Sequence, residues 1–410
     1  MAEDILFYNI ASLYTPGEND CVEKLNDQAI FVRGGRIHAM GDNDDLLRQF
    51  QGCDTINCHG KTMLPAFVDP HTHPVFWQTR QNEFILRTQG ADYEEIAAAG
   101  GGIRNSVRSL RQASFDELLE ITLHRMGRFI EYGTLTVEAK SGYGLNLEDE
   151  IKSLQVLRRI ARDNLLPLTI VPTFLGAHEI PDEYRDSPDT YVDLLINEMI
   201  PQVAEEKLAD YCDVFCESGV FTVAQTERIL LSAQEYGLKA KLHADELHNT
   251  GGAELAASLK AVSADHLVCI SDAGIEAMKR QGVVPVLLPA TTFFLGKSRY
   301  APARKMLDAG LPVALASDFN PGSSMTQNMH IVATLAALHL HMQPEEILCG
   351  QTLHAAQAID LAHERGSLAV GKAADMLLLD IPDLSYFAYH FAVNHIVAVV
   401  KEGEIVFPQV

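Results

Sequence analysis

Eight short β-rich runs, each followed by a longer helical pattern, limit what this chain can fold into. The runs are 63–68 (MLPAFV), 134–139 (TLTVEA), 168–174 (LTIVPTF), 211–216 (YCDVFC), 239–243 (KAKLH), 262–266 (VSADH), 284–288 (VPVLL) and 312–317 (PVALAS). Amphipathic stretches such as 146–163 and 223–236 lie between them. Strands alternating with helices build parallel βαβ units, and eight such units predict an α/β fold, a TIM-like (β/α)8 barrel. The chain ends read differently. Residues 28–42 are two apolar runs around Gly34-Gly35, a hairpin signal, and 368–381 and 395–407 read as strand pairs broken by Gly-Lys and Glu-Gly turns. The expected organisation is a small β-sandwich domain from residues 1–62 and 358–410 around a barrel of residues 63–357, and 410 residues suffice for both.

Charge narrows the partners. The 32 Lys+Arg against 55 Asp+Glu give a net charge of −23, which repels nucleic acid and anionic lipid, and no basic run exceeds pairs such as Arg158-Arg159. A membrane span needs ~20 mostly apolar residues. Residues 283–296 are too short and contain Pro285 and Pro289, and 321–343 are interrupted by Asn328, His330, His339 and His341. Met1-Ala2-Glu3-Asp4 does not open a signal peptide. The seven cysteines are scattered, and the close pairs Cys53/Cys58 and Cys212/Cys216 lack zinc-knuckle spacing. These features predict a cytoplasmic protein with neither nucleic acid nor membrane as partner.

Barrel active sites lie beyond the C-terminal ends of the strands, and this chain places its polar residues there. The first run leads into Asp69-Pro70-His71-Thr72-His73. In extended chain, residues i and i+2 share a side, so His71 and His73 can bind one metal ion together. The fifth run ends at His243, followed by Ala244-Asp245-Glu246; the sixth ends at Asp265-His266; the eighth leads to Asp318-Phe319-Asn320; the third leads to His178. Each feature alone is commonplace, but together they predict one divalent metal ion, zinc or iron, held by imidazoles and a carboxylate. Such an ion lowers the pKa of its water toward ~7. Glu246, three residues past His243, is placed to move that water's proton, and His266 to steer the water or polarise the electrophile. The fourth run ends Val214-Phe215-Cys216-Glu217 with no lysine to bridge two metals, and Lys140 follows the second run instead, where an ion pair is the expectation. The first connection, 69–133, is unusually long; it carries Arg80, Tyr93 and Gly100-Gly101-Gly102 and is expected to cover a site or bind substrate.

PAFVDPHTH, the strand-end histidines, Asp318 and the C-terminal GSLAVGKAADMLLLD resemble the amidohydrolase superfamily across essentially the whole chain. Six blocks in order resemble the imidazolonepropionase family more narrowly: NEFILRTQGADYEEIAAAGGGI, VEAKSGYGLNLEDEIKSL, TFLGAHEIPDEY, KLHADEL, SADHL and SDFNPGSS. The resemblance implies hydrolysis of the cyclic amide of 4-imidazolone-5-propionate to N-formimino-L-glutamate, in histidine degradation. It implies metal ligands at His71, His73, His243 and Asp318. It implies substrate contacts at Arg80, Tyr143, His178, Asn320, Gly322 and Ser323, catalytic roles for Glu246, His266 and Asp318, and a homodimer. The chemistry agrees, since a guanidinium such as Arg80 pairs with a propionate carboxylate. Before Arg80 the chain departs from the family's small, glycine-rich pattern with Val75-Phe76-Trp77-Gln78-Thr79, which includes its single tryptophan. His248 reads as peripheral. There are two rival readings: a purine or pyrimidine deaminase, which would use the same residues but release ammonia, and a non-enzymatic scaffold, which would have shed its ligands.

Overall fold

The computed structural model describes residues 4–17, 21–90 and 101–408. Tyr93, Gly100 and most of the ADYEEIAAAGG stretch lie outside the described residues. The N-terminal strands are β1 (Ile5–Pro16), β2 (Val22–Arg33), β3 (Arg36–Asp42) and β4 (Asp54–Pro65). Gly34 and Gly35 turn β2 into β3 with φ of +58° and +77°, the left-handed pair that a tight two-residue hairpin needs. The barrel strands follow: β5 (Phe67–Thr72), β6 (Thr134–Lys140), β7 (Thr169–Ala177), β8 (Tyr211–Cys216), β9 (Lys239–Ala244), β10 (Ser263–His266), β11 (Val284–Leu287) and β12 (Ala314–Leu315). The chain then returns to the terminal sheet through β13 (Met376–Leu379), β14 (Ile396–Lys401) and β15 (Glu404–Phe407).

Strands β5 to β12 form one parallel sheet in chain order, and the ring closes where Thr72 bridges Phe319. Local signals start its helices. Asn146 accepts from the Asp149 N–H to begin Leu147–Arg162, and a Thr222/Gln225 capping box begins Val223–Glu235. Their apolar faces, including Leu154, Leu157, Ile160, Ile229 and Leu230, pack into the main core.

The terminal strands form a single seven-stranded sheet in the order β15-β14-β13-β4-β1-β2-β3. It packs like a sandwich because it curls. Arg36 bridges Ala373, and Phe7, Ile30, Val32, Met63, Met376 and Val400 share one core. Two details differ from the sequence expectation. Met63, Leu64 and Pro65 pair with β13 in the terminal sheet, so the barrel begins at Phe67. A continuous apolar run concealed this break, since both halves of 63–68 are buried. Residues around Gly371 form a turn against β3 instead of a hairpin.

Candidate active site and metal centre

His71 lies in β5 and His73 just beyond it. Their Nε2 atoms approach to 3.2 Å. Asp318, beyond β12, brings Oδ1 to 3.5 Å from His71 Nε2 and 3.4 Å from His73 Nε2. The Thr291 hydroxyl donates to the other Asp318 oxygen at 2.6 Å. His243 in β9 sets its ring 4.5 Å from that of His71, and the His266 ring lies 5.2 Å from that of His243. Ligand atoms gather in two triads that share His71: His71–His73–Asp318 and His71–His243–His266. Asp318 and His266 have φ of +52° and +74°, a costly conformation for non-glycine residues that clusters at functional sites.

Carboxylates grip the outer nitrogens of two of these rings. His71 Nδ1 donates to Asp265 at 2.6 Å, and His243 Nδ1 to Asp213 at 3.1 Å. An ionised carboxylate only accepts, so each contact puts a ring proton on Nδ1, which in a neutral ring leaves Nε2 bare toward the site. Burial drives His71 and His73 well below the ordinary histidine range, so both are neutral. Against burial, Asp213 draws His243 upward, while His243 and Lys140 hold Asp213 well below the usual carboxylate range.

Glu246 Oε1 lies 3.6 Å from His266 Nδ1. Burial, with the Asp318 charge, pushes Glu246 up to about 8, and burial pushes His266 down to about 3. His178 stacks on His73 at 5.2 Å, and its Nδ1 donates to the Gly142 carbonyl at 2.9 Å, because a carbonyl can only accept. The Tyr143 ring lies 5.3 Å from that of His178 and 6.2 Å from that of His73. Arg80 is buried, and two of its nitrogens donate to Glu83 Oε2 at 2.9 and 2.6 Å. A Cβ on Gly322 would lie 2.7 Å from Arg80 Cζ, so glycine there makes room for the guanidinium. The Asn320 amide is used within its own turn: it donates to the Asp318 carbonyl and Ser323 Oγ and accepts from the Gly322 and Ser323 N–H groups. Trp77 packs on the main core, and its carbonyl accepts from Arg125 at 3.0 Å. His248 is exposed and pairs with Glu217.

Residues 85–407 match the amidohydrolase family. The chain is 47% identical to an imidazolonepropionase of Alkaliphilus oremlandii, covering 93% of this chain and 90% of that protein. It is 45% identical to one of Thermoanaerobacter pseudethanolicus, covering 98% and 97%. The chain belongs to the imidazolonepropionase family. Solved structures with the same fold include an adenosine deaminase of Xanthomonas campestris with bound zinc (18% identity, TM-score 0.72, covering 98% of this chain and 92% of that one) and the guanine deaminase of E. coli (14%, 0.75, covering 99% of each).

The donor set fits the metal ion that membership of this family implies. Two neutral imidazole nitrogens 3.2 Å apart share at most one proton, and a cation between them and Asp318 engages both lone pairs. The sequence reading had no role for Asp213, Asp265, Thr291 or Glu83. Asp213 carries a usable signal, a carboxylate inside an otherwise apolar buried strand, whereas Asp265 shares its short buried strand with Ser263 and His266. Glu150 was equally hidden. It accepts from the Gly142, Gly144 and Leu145 N–H groups at 2.7–3.0 Å and so shapes the loop that carries Tyr143.

Proposed function

We propose that this site hydrolyses the ring amide of 4-imidazolone-5-propionate to N-formimino-L-glutamate, a C–N bond hydrolysis in histidine degradation. The relatives named imidazolonepropionase, at 45–47% identity over nearly the whole chain, support this reading. The observation that carries it within the structure is Arg80, a buried guanidinium set against Gly322 in the loop that follows Asp318. A guanidinium against the loop that follows Asp318 suits a substrate with a carboxylate tail.

His71, His73, His243 and Asp318 would hold the metal, zinc or ferrous iron; when bound, it acidifies water and polarises a carbonyl. Arg80 anchors the propionate and so fixes the ring before reaction. Tyr143 and His178 line the side next to His73. Asn320 rigidifies the turn that presents Gly322 and Ser323 to the substrate. Burial and the Asp318 charge raise Glu246, and a bound cation beside Asp318 would offset that. Ionised, Glu246 would take a proton from the attacking water and give it to the departing ring nitrogen, as general base and then general acid. His266, neutral across the working range, donates a hydrogen bond to the ring carbonyl oxygen as charge grows there. Water's oxygen becomes part of the new carboxylate, and the ring C–N bond breaks. Seven free cysteines favour a cytoplasmic setting, and family membership favours a homodimer.

The test is to generate imidazolone propionate from urocanate with urocanase, add metal-replete protein, and follow ring absorbance and ammonia together. Ring loss without ammonia is expected. Ammonia release would instead point to a deaminase, and an intact ring with bound metal would remove this substrate from consideration.

A further inference from the structure

A charged layer lies inside the barrel where branched apolar side chains are usual. Glu138, Lys140, Asp213, Lys241 and Asp265 are all fully buried. Lys140 is at its centre. Its Nζ lies 2.8 Å from Glu138 Oε1, 2.7 Å from Asp213 Oδ2 and 3.9 Å from Asp265 Oδ2. Asp213 and Asp265 are the two carboxylates that hold the outer nitrogens of His243 and His71. One ammonium therefore bonds the carboxylate behind His243 and lies within ion-pair distance of the carboxylate behind His71, two candidate ligands delivered by different strands. Lys241, 2.7 Å from Ser263 Oγ and 3.7 Å from Asp265, supports one side of this arrangement only.

We propose that Lys140 is a positioning residue for the metal centre: placed between Asp213 and Asp265, its ammonium orients these carboxylates, and through them the rings of His243 and His71. This inference rests on reading the histidine cluster as the metal site. Lys140 cannot itself be a carboxylated bridging ligand here. Carboxylation would make it an anion packed against two carboxylates it now contacts as a donor. Nor is the layer a simple stabilising device. A buried ion network is weak evidence for stability, because the cost of desolvating the charges offsets their attraction. A direct effect on ligand geometry accounts for these charges better, since partners behind metal ligands typically control affinity 10–100-fold.

The experiment strips the purified protein of metal and titrates it with Zn²⁺ alone in competition with a chromophoric chelator. Lys140→Met is expected to weaken zinc binding at least about tenfold, as are Asp213→Asn and Asp265→Asn. Lys140→Arg, which keeps the charge, is expected to retain most of the wild-type affinity. On the Asp213→Asn/Asp265→Asn background, Lys140→Met should add little, because its route to the histidines is already gone. Should Lys140→Met not fold, Lys140→Gln replaces it, keeping a donor without the charge. A fall in melting temperature with zinc affinity unmoved would overturn the proposal, as would an equal Lys140 effect on the double-asparagine background. Wild-type protein that binds no zinc would refute the metal reading itself, a different outcome from equal binding by wild type and variants.

Discussion

Gly322→Ala tests the tail-binding role of Arg80 without touching its charge. The added methyl would lie 2.7 Å from Arg80 Cζ and 3.2 Å from Nη2, and closer still to Nη1. An ordinary contact needs ~3.5 Å or more, so the guanidinium must withdraw by about an ångström. The fold itself gives little resistance, because the obstructing atoms are the end of a flexible side chain. The expected cost in global stability is therefore under about 1 kcal/mol where Arg80 and Glu83 shift together, and several kcal/mol where their buried pair breaks. Arg80 is less free than its length suggests. Glu83 holds it through two hydrogen bonds and is itself tied to the Gly102 N–H at 3.2 Å. Withdrawal must break or drag that pair. A hydrogen bond to a charged group contributes ~1.5–3 kcal/mol, so losing the carboxylate contact should lower kcat/KM by about 10- to 100-fold. The loss should appear mainly in KM, because the tail is bound equally in ground and transition states. The assay is steady-state hydrolysis of freshly made imidazolone propionate by wild type, Gly322→Ala, Arg80→Ala and the double variant. If the methyl acts through Arg80, it costs almost nothing once Arg80 is alanine. A wild-type KM for Gly322→Ala, or an equal loss on the Arg80→Ala background, would falsify the argument.

Three further outcomes are expected. Asp318→Asn removes the carboxylate shared with His71 and His73 and should cost orders of magnitude in turnover with a matching loss of bound metal, read by elemental analysis beside the rate. Glu150→Gln exchanges one of two accepting oxygens for a donor facing the 142–145 loop; it should cost about 1–3 kcal/mol in urea unfolding and raise KM, and an unchanged KM would detach Tyr143 from substrate binding. His330 is fully buried with both ring nitrogens unpaired, and burial holds it down to about 3. The unfolded chain takes up a proton there below ~6.5 and the folded chain does not, so stability falls as pH drops from about 6.5 toward 3, by ~2–3 kcal/mol at pH 4.5 from this group. His330→Phe, beside Phe67 and Phe387, should flatten that acid slope; an unchanged slope in urea midpoints from pH 6.5 to 4.5 would refute it.

The barrel was legible because its signal is repetitive: a parallel strand buried on both faces is a short apolar run, and eight of them between amphipathic segments leave few alternatives. The same property hid the boundary within 63–68. Met63 to Pro65 and Phe67 onward are equally apolar, yet they pair in different sheets, and only the hydrogen-bond partners separate them. The helices over 146–163 and 223–236 were legible as amphipathic patterns, and the structure adds their caps, Asn146 and Thr222, each a contact with a backbone three residues on. Arg80's packing against Gly322 is not local. It joins the first long connection to the loop after β12, and neither segment shows in its own sequence that the other is there.

The histidines show the same division at the scale of chemistry. His71 and His73 declare themselves by spacing, since two residues apart in a strand means one side. Which nitrogen each ring offers is decided elsewhere, by Asp265 on β10 for His71 and by Asp213 on β8 for His243. Those carboxylates read in sequence as anomalous charges within barrel strands, and so does Lys140 at the end of β6. A buried charge without a partner costs several kcal/mol, so each anomaly predicts a partner without naming it. The barrel supplies the names by bringing β6, β8 and β10 to one interior layer. Charges that look misplaced along the chain form a single network beneath the histidines.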